Sequence, residues 1–129
     1  MYMNIAKNKI KEKLSLKKQL LFVNDALKTD DANKIYETFC ESTFLTDPMK
    51  DHIIKRVCYL ECVDVLINFS EFVGWITENN KNDLFNKILE IGEYRHLRYF
   101  MNIIEWISDD QRQIINCKLE SLNALKMTI

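Results

Sequence analysis

The sequence predicts an all-α fold of about seven short helices, arranged as stacked helical hairpins in a small α-solenoid or, alternatively, closed into a compact bundle. Three observations predict it. Only 2 Gly and 1 Pro occur in 129 residues, which leaves little material for hairpin turns or irregular loops. Apolar residues recur at spacings of three and four, as in the row Met49, Ile53, Val57 and Leu60. The chain, slid against itself by 31 residues, also brings like residues into columns.

One column holds Ser15, Thr46, Thr77 and Ser108, and the column before it holds Leu14, Leu45, Ile76 and Ile107. Lys13, Phe44, Trp75 and Trp106 precede those. Downstream, Phe22 aligns with Ile53 and Leu84, Val23 with Ile54 and Phe85, Ala26 with Val57 and Ile88, and Leu27 with Cys58 and Leu89. In the fourth copy Ile114, Ile115 and Leu119 reach the Leu84, Phe85 and Leu89 columns if that copy is one residue shorter. Ile35, Leu66 and Leu97 share a later column, as do Phe69 with Phe100 and Val73 with Ile104.

The elements follow in order. A helix near 16–28 starts at Ser15, and one near 31–44 starts at Asp30 or Asp31. The third, 47–60, opens with Thr46-Asp47-Pro48. There a hydroxyl accepts an orphan N–H, an acid meets the positive helix end, and proline is tolerated in the first turn. A break at Glu61 to Asp64 separates it from 63–76, whose stripe is Leu66, Phe69, Val73 and Ile76. Thr77-Glu78 opens 79–91, and Gly92 is placed to end it in a left-handed residue. The sixth helix, 94–107, is followed by Ser108-Asp109-Asp110-Gln111, a capping box that opens 109–125. Gly74 falls inside the fourth helix, where it costs about 1 kcal/mol and permits close packing. Trp75 and Trp106 read as packing residues at junctions between units, each at least half buried.

A 31-residue hairpin is just short of the ankyrin and tetratricopeptide lengths, but neither the T-P-L-H turn nor the W…L-G…Y spacing occurs. No family follows from the motifs. With 47% hydrophobic and 29% charged residues the chain fits one helical domain over 1–129, with 1–13 as a basic N-terminal extension. No run of about 18 apolar residues and no secretory leader pattern occurs, so the expected setting is cytoplasmic, or a host cell entered without a cleaved signal. The four cysteines, Cys40, Cys58, Cys62 and Cys117, form no CxxC and read as reduced thiols.

Chemistry is sparse. Cys58 and Cys62 are one helical turn apart, but His52 and His96 complete no zinc pattern, and Cys58 aligns with two leucines as a small core residue. No nucleophile, base and orienting group share a motif, and two glycines cannot build a phosphate loop. The chain is therefore expected to be non-enzymatic, without cofactor or metal. EYRHLRYF, residues 93 to 100, is the most distinctive surface string: with Leu97 and Phe100 in core columns, Tyr94, Arg95, Arg98 and Tyr99 are left exposed as a partner-binding cluster. The plainer role for these arginines is pairing with Glu93, Asp64 or Glu105.

Residues 1 to 20 carry six lysines, Lys7, Lys9, Lys11, Lys13, Lys17 and Lys18, against Glu12, so a net +5 there leaves −6 elsewhere in a chain of net −1. The leading expectation is a protein-binding module: an adaptor, chaperone, immunity protein or inhibitor of a host or cellular pathway. Asn, Ile and Lys richness places it with pathogens, mobile elements or large DNA viruses. The alternative is a nucleic-acid or anionic-surface binder using those lysines, although nucleic acid is disfavoured because residues 21 to 129 are net acidic. An uncapped end of a short solenoid would also promote homo-oligomers.

Overall fold

A computed structural model describes residues 15–128, with side chains through residue 124. The described residues form seven helices and no strands: α1 Leu16–Ala26, α2 Ala32–Phe39, α3 Asp47–Leu60, α4 Val63–Glu71, α5 Glu78–Ile91, α6 Tyr94–Ile103 and α7 Asp109–Thr128. None of these helices is long and apolar enough to cross a membrane.

Helix starts lie where the hydroxyls and acids place them. Ser15, Asp31, Thr46 and Thr77 accept the backbone N–H groups of Lys18, Lys34, Met49 and Asn80, each cap stabilising its helix by about 1 kcal/mol. Ser108 and Gln111 complete a reciprocal capping box at α7. At Thr77 the reciprocal partner is Asn80, whose buried amide accepts from the Thr77 N–H at 3.1 Å and donates to Asp51 Oδ1 at 3.0 Å. That cap ties α5 to α3.

Helix ends differ from the sequence expectation. The even-numbered helices stop at Phe39, Glu71 and Ile103 rather than running on to 44, 76 and 107. After α4 the Phe72 N–H donates to Phe69 O and the Trp75 N–H to Phe72 O, so a tight turn carries Trp75 and Ile76 into the core without a helical face. The apolar spacing runs through that turn, which is why it reads as helix. Gly74 sits in the turn, where an added Cβ would meet nothing, and Val73 is 49% exposed although Ile104, its counterpart, is buried. The left-handed cap residue is Glu61 (φ 57°, ψ 32°), whereas Gly92 is extended (φ −68°, ψ 138°). Space, not handedness, selects glycine at 92: a Cβ there would lie 2.6 Å from Ile88 O and 3.2 Å from Leu97 Cδ2.

The core is one cluster, filled from equivalent positions of successive helices. Ile35, Leu66 and Leu97 are buried, as are Val23, Ile54 and Phe85, and Leu45, Ile76 and Ile107. In α7 the buried residues are Ile115 and Leu119, each 31 positions after Leu84 and Ile88, while Ile114 is exposed. The burial of α7 thus follows an offset of 31 without the one-residue shortening that the sequence columns called for. Lys118 then matches Arg56 and Lys87; Lys87 and Lys118 reach back to the end of the preceding odd-numbered helix, and Arg56 to the connection that follows α1. Arg56 bonds Thr29 O and Asp30 Oδ1, Lys87 bonds Glu61 Oε1 at 3.2 Å, and Lys118 bonds the carbonyls of Leu89 and Glu90. Cations suit those sites because a helix C-terminus carries unpaired carbonyls and partial negative charge.

The tryptophans recur in the same way. Trp75 Nε1 donates to Phe39 O at 3.1 Å, and Trp106 Nε1 to Ser70 O at 2.8 Å. Each indole also packs on a phenylalanine six residues before it, Phe69 at 5.3 Å and Phe100 at 5.8 Å, and lies under a lysine, Lys50 or Lys81. Between helices, α1 packs on α3 and α3 on α5, while α2 packs on α4 and α4 on α6. Every extensively contacting pair is separated in the chain by at most one helix.

Candidate partner-binding surface

The α6 surface is built from its start. The Glu93 N–H donates to His96 Nδ1 at 3.1 Å, which closes the first turn and directs Nε2 toward Asp64 Oδ1 on α4, 3.7 Å away. Leu97 and Phe100 fix the inner face in the core. Helical spacing then leaves two outward rows, 94 with 98 and 95 with 99.

All four side chains of the expected cluster are exposed, Tyr94 at 38% and Tyr99 at 46%. They form two pairs of functions rather than one patch. The Arg98 guanidinium lies 5.8 Å from the Tyr94 ring centre, a cation–π contact that holds both on the outer row. Arg95 approaches Glu93 at 3.8 Å, and Tyr99 donates its hydroxyl to Glu71 Oε1 on α4 at 2.7 Å. That hydrogen bond holds the Tyr99 phenol above its ordinary range, with burial and the Glu71 charge acting in the same direction. Arg95, His96 and Tyr99 face Asp64, Ile67, Asn68 and Glu71 across a groove of about 420 Å³. Of the acids expected to satisfy the arginines, Glu93 does so, whereas Asp64 meets His96 instead.

The lysine-rich start is placed only in part. Lys17 and Lys18 are exposed on α1, and Lys7, Lys9, Lys11 and Lys13 lie outside the described residues. Since α1 packs on α3, while α6 packs on α4, α5 and α7, the two predicted binding regions do not share a helix contact. The structure does not bring them together.

His96 is engaged in the α6 cap and Cys58 in the core, while Cys117 and His52 are exposed. Burial pushes the Cys58 thiol up to about 12, and the neighbouring Asp83 adds to that shift; its Sγ lies 3.9 Å from Asp83 O. Burial likewise raises the Cys40 thiol. Cys62 is the N-cap residue of α4. Among the described residues no group of three or more His, Cys, Asp or Glu side chains converges as a metal site would.

Sequence reasoning misses a second concave surface, between α1 and α3, lined by Lys28, His52, Lys55, Arg56 and Tyr59 among others. The signal is present but easily overlooked: 52, 55, 56 and 59 fall on one helical stripe, opposite the apolar one. Tyr59 is the most exposed large aromatic there, at 74%, and stacks on the Arg56 guanidinium at 5.3 Å. No family model, curated protein or solved structure matches this chain.

Proposed function

We propose that this chain is a non-enzymatic protein-binding module, built of tandem helical hairpins with a unit of about 31 residues, that grips a partner through exposed side chains of α6. The observation that carries the reading is the outer face of that helix: two tyrosines and two arginines stand in solvent on a backbone fixed from behind by Leu97 and Phe100. Tyrosine and arginine supply large contact area at low entropic cost and are enriched where binding energy concentrates. The tandem arrangement is supported by the tryptophan-to-carbonyl bonds and the basic side chains that recur 31 residues apart, and by extensive helix contacts that skip at most one helix. The non-enzymatic part is supported by the chain's best candidates for chemistry, His96 and Cys58, being engaged in a helix cap and in the core.

Four free cysteines accord with a reducing compartment, and a cytoplasmic adaptor, chaperone, immunity protein or pathway inhibitor fits the reading. The test is a photo-crosslinking residue at position 94 of the full chain, expressed in its native cell, with products identified by mass spectrometry. A discrete protein adduct that disappears with Arg98→Glu is expected. Absence of any protein adduct, with the chain folded, sinks the proposal.

A second reading, binding to an anionic surface, is favoured by Lys17 and Lys18, which pair with no carboxylate among the described residues. Removal of residues 1–13 separates the two. The protein-binding module keeps its partner after that truncation, whereas the anionic-surface binder loses its ligand.

A further inference from the structure

We infer that the groove between α1 and α3 is a docking site for an acidic amphipathic helix of a partner protein; this rests on the protein-binding reading and names the chemistry of a partner at a second surface. The first observation is a set of leucines in the wrong place for a solvated helix. Leu16, Leu20 and Leu21 are 59%, 42% and 59% exposed. Where α1 carries Leu16 and Leu20, the equivalent positions of α3, α5 and α7 carry Asp47, Glu78 and Asp109, and Asp51, Asn82 and Gln113. At those two positions the apolar character belongs to α1 alone, whereas the Leu21 position carries His52, Asp83 and the exposed Ile114.

The second observation is charge. From Lys17, three- and four-residue steps through either Leu20 or Leu21 lead to Asn24 and then Lys28, so these two leucines share one side of α1 between lysines. That side continues into the groove, about 560 Å³, whose far wall is His52, Lys55, Arg56 and Tyr59 of α3. Three acids stand nearby: Asp25 by Lys28 at 3.6 Å, Asp51 by Lys55 at 3.9 Å and Asp30 by Arg56 at 3.0 Å. The first two pairs are long and their lysines exposed, so an incoming carboxylate can exchange with them, while Lys17 and Lys18 need no exchange. Apolar centre and basic rim together define the occupant.

Shape decides among anionic occupants. From Lys17 to Lys28 the face is about 16 Å long, three turns of a helix, and it is concave against α3, which suits a rod with its own apolar stripe. Phosphodiester chains gain nothing from three exposed leucines. A flat anionic membrane would reach the rim lysines but not the recess between α1 and α3.

The test selects binders for the full chain from a displayed library of helical peptides in which stripe residues and flanking charges are varied independently. Enriched peptides with leucine-class residues at three- and four-residue spacing and acidic flanks are expected. Their affinity should fall at least tenfold with Leu20→Ser/Leu21→Ser and with Lys55→Glu, and not with Tyr94→Ala/Arg98→Ala. Circular dichroism checks that each variant is folded, which these exposed positions allow. Enrichment of basic or uncharged peptides, or affinities indifferent to the α1 and α3 variants, overturns the inference. Peptides lost only with the α6 variant overturn it while leaving the protein-binding reading standing. An unenriched library overturns it as well, and retention of the chain on phosphatidylserine vesicles or polyuridylate in that case removes the protein-binding reading too.

Discussion

Gly92 and Gly74 are the only glycines in the chain, and they answer to different constraints. At Gly92 a methyl group would press on a backbone carbonyl that cannot yield, so Gly92→Ala should lower stability by about 1–3 kcal/mol, the usual range for overpacking. At Gly74 the space is open and φ is not positive, so Gly74→Ala should be neutral or stabilise by about 0.4–1 kcal/mol through the unfolded chain. Urea midpoints of the two variants check the contrast. The need for glycine at 92 arises from the way the chain leaves α5, over the Ile88 carbonyl and against Leu97 of the next helix, and so is not legible in residue spacing. Cys58 is the opposite case, since its place among leucines in the sequence columns already marks it as core. Its thiol titrates near 9 when free and at about 12 in the fold, so between those values the unfolded chain releases a proton that the folded one keeps. The stability this contributes is complete below pH 9 and is lost as pH rises toward 12. Urea unfolding from pH 8 to 11 should show that decline, and Cys58→Val should flatten it. Iodoacetamide at pH 8 should modify the exposed Cys117 well before Cys58.

Among the elements, the odd-numbered helices were readable because their caps are chemical: Ser15, Thr46, Thr77 and Ser108 each take a backbone N–H in the structure. The ends of the even-numbered helices were not, because a buried turn and a buried helical face place apolar residues at the same spacing. The indole N–H of Trp75 marks the true end of α2 by satisfying the carbonyl of Phe39, its last residue, and Trp106 does the same within the last turn of α4. Trp75→Phe keeps ring packing on Phe69 but removes one of the two hydrogen bonds to that carbonyl, which still accepts the Ser42 N–H at 3.0 Å, with an expected cost of about 0.5–1.5 kcal/mol. Trp75→Ala adds a cavity and should cost about 3–5 kcal/mol. Thermal melts of the two variants separate the hydrogen bond from the packing. A Trp75→Phe melt identical to the parent would mean that water replaces the indole without loss. On α6, exposure of Tyr94, Arg95, Arg98 and Tyr99 follows from helical period alone, whereas the division into Tyr94 with Arg98 and Tyr99 with Glu71 depends on where α4 lies.

For the whole molecule, the extensive helix contacts join helices separated in the chain by at most one other, so order is expected to be lost stepwise from an end. α1 packs on one side only and leaves three leucines in solvent, so its amides should exchange with deuterium first, and those of α3 to α5 last. Uniform exchange across all helices would instead indicate an all-or-none bundle. The two ends are unlike. At the α7 end, Asn116 and Glu120 occupy the positions held by Val23, Ile54 and Phe85 and by Leu27, Cys58 and Leu89, and both are exposed, so polar side chains stand there where the earlier helices carry apolar ones. Helical class was visible in the sequence because it rests on side-chain type at fixed spacing. The concave surface between α1 and α3 was not, since it exists only once two helices are set side by side. The pair of indole bonds has one more consequence. With only two tryptophans in the chain, Trp75 pinned to α2 and Trp106 to α4, emission spectra and indole N–H resonances give a separate, label-free signal from each of two seams. Fraying that starts at the α1 end would reach the Trp75 signal while the Trp106 signal still reads native, and the protein could be watched coming apart in order.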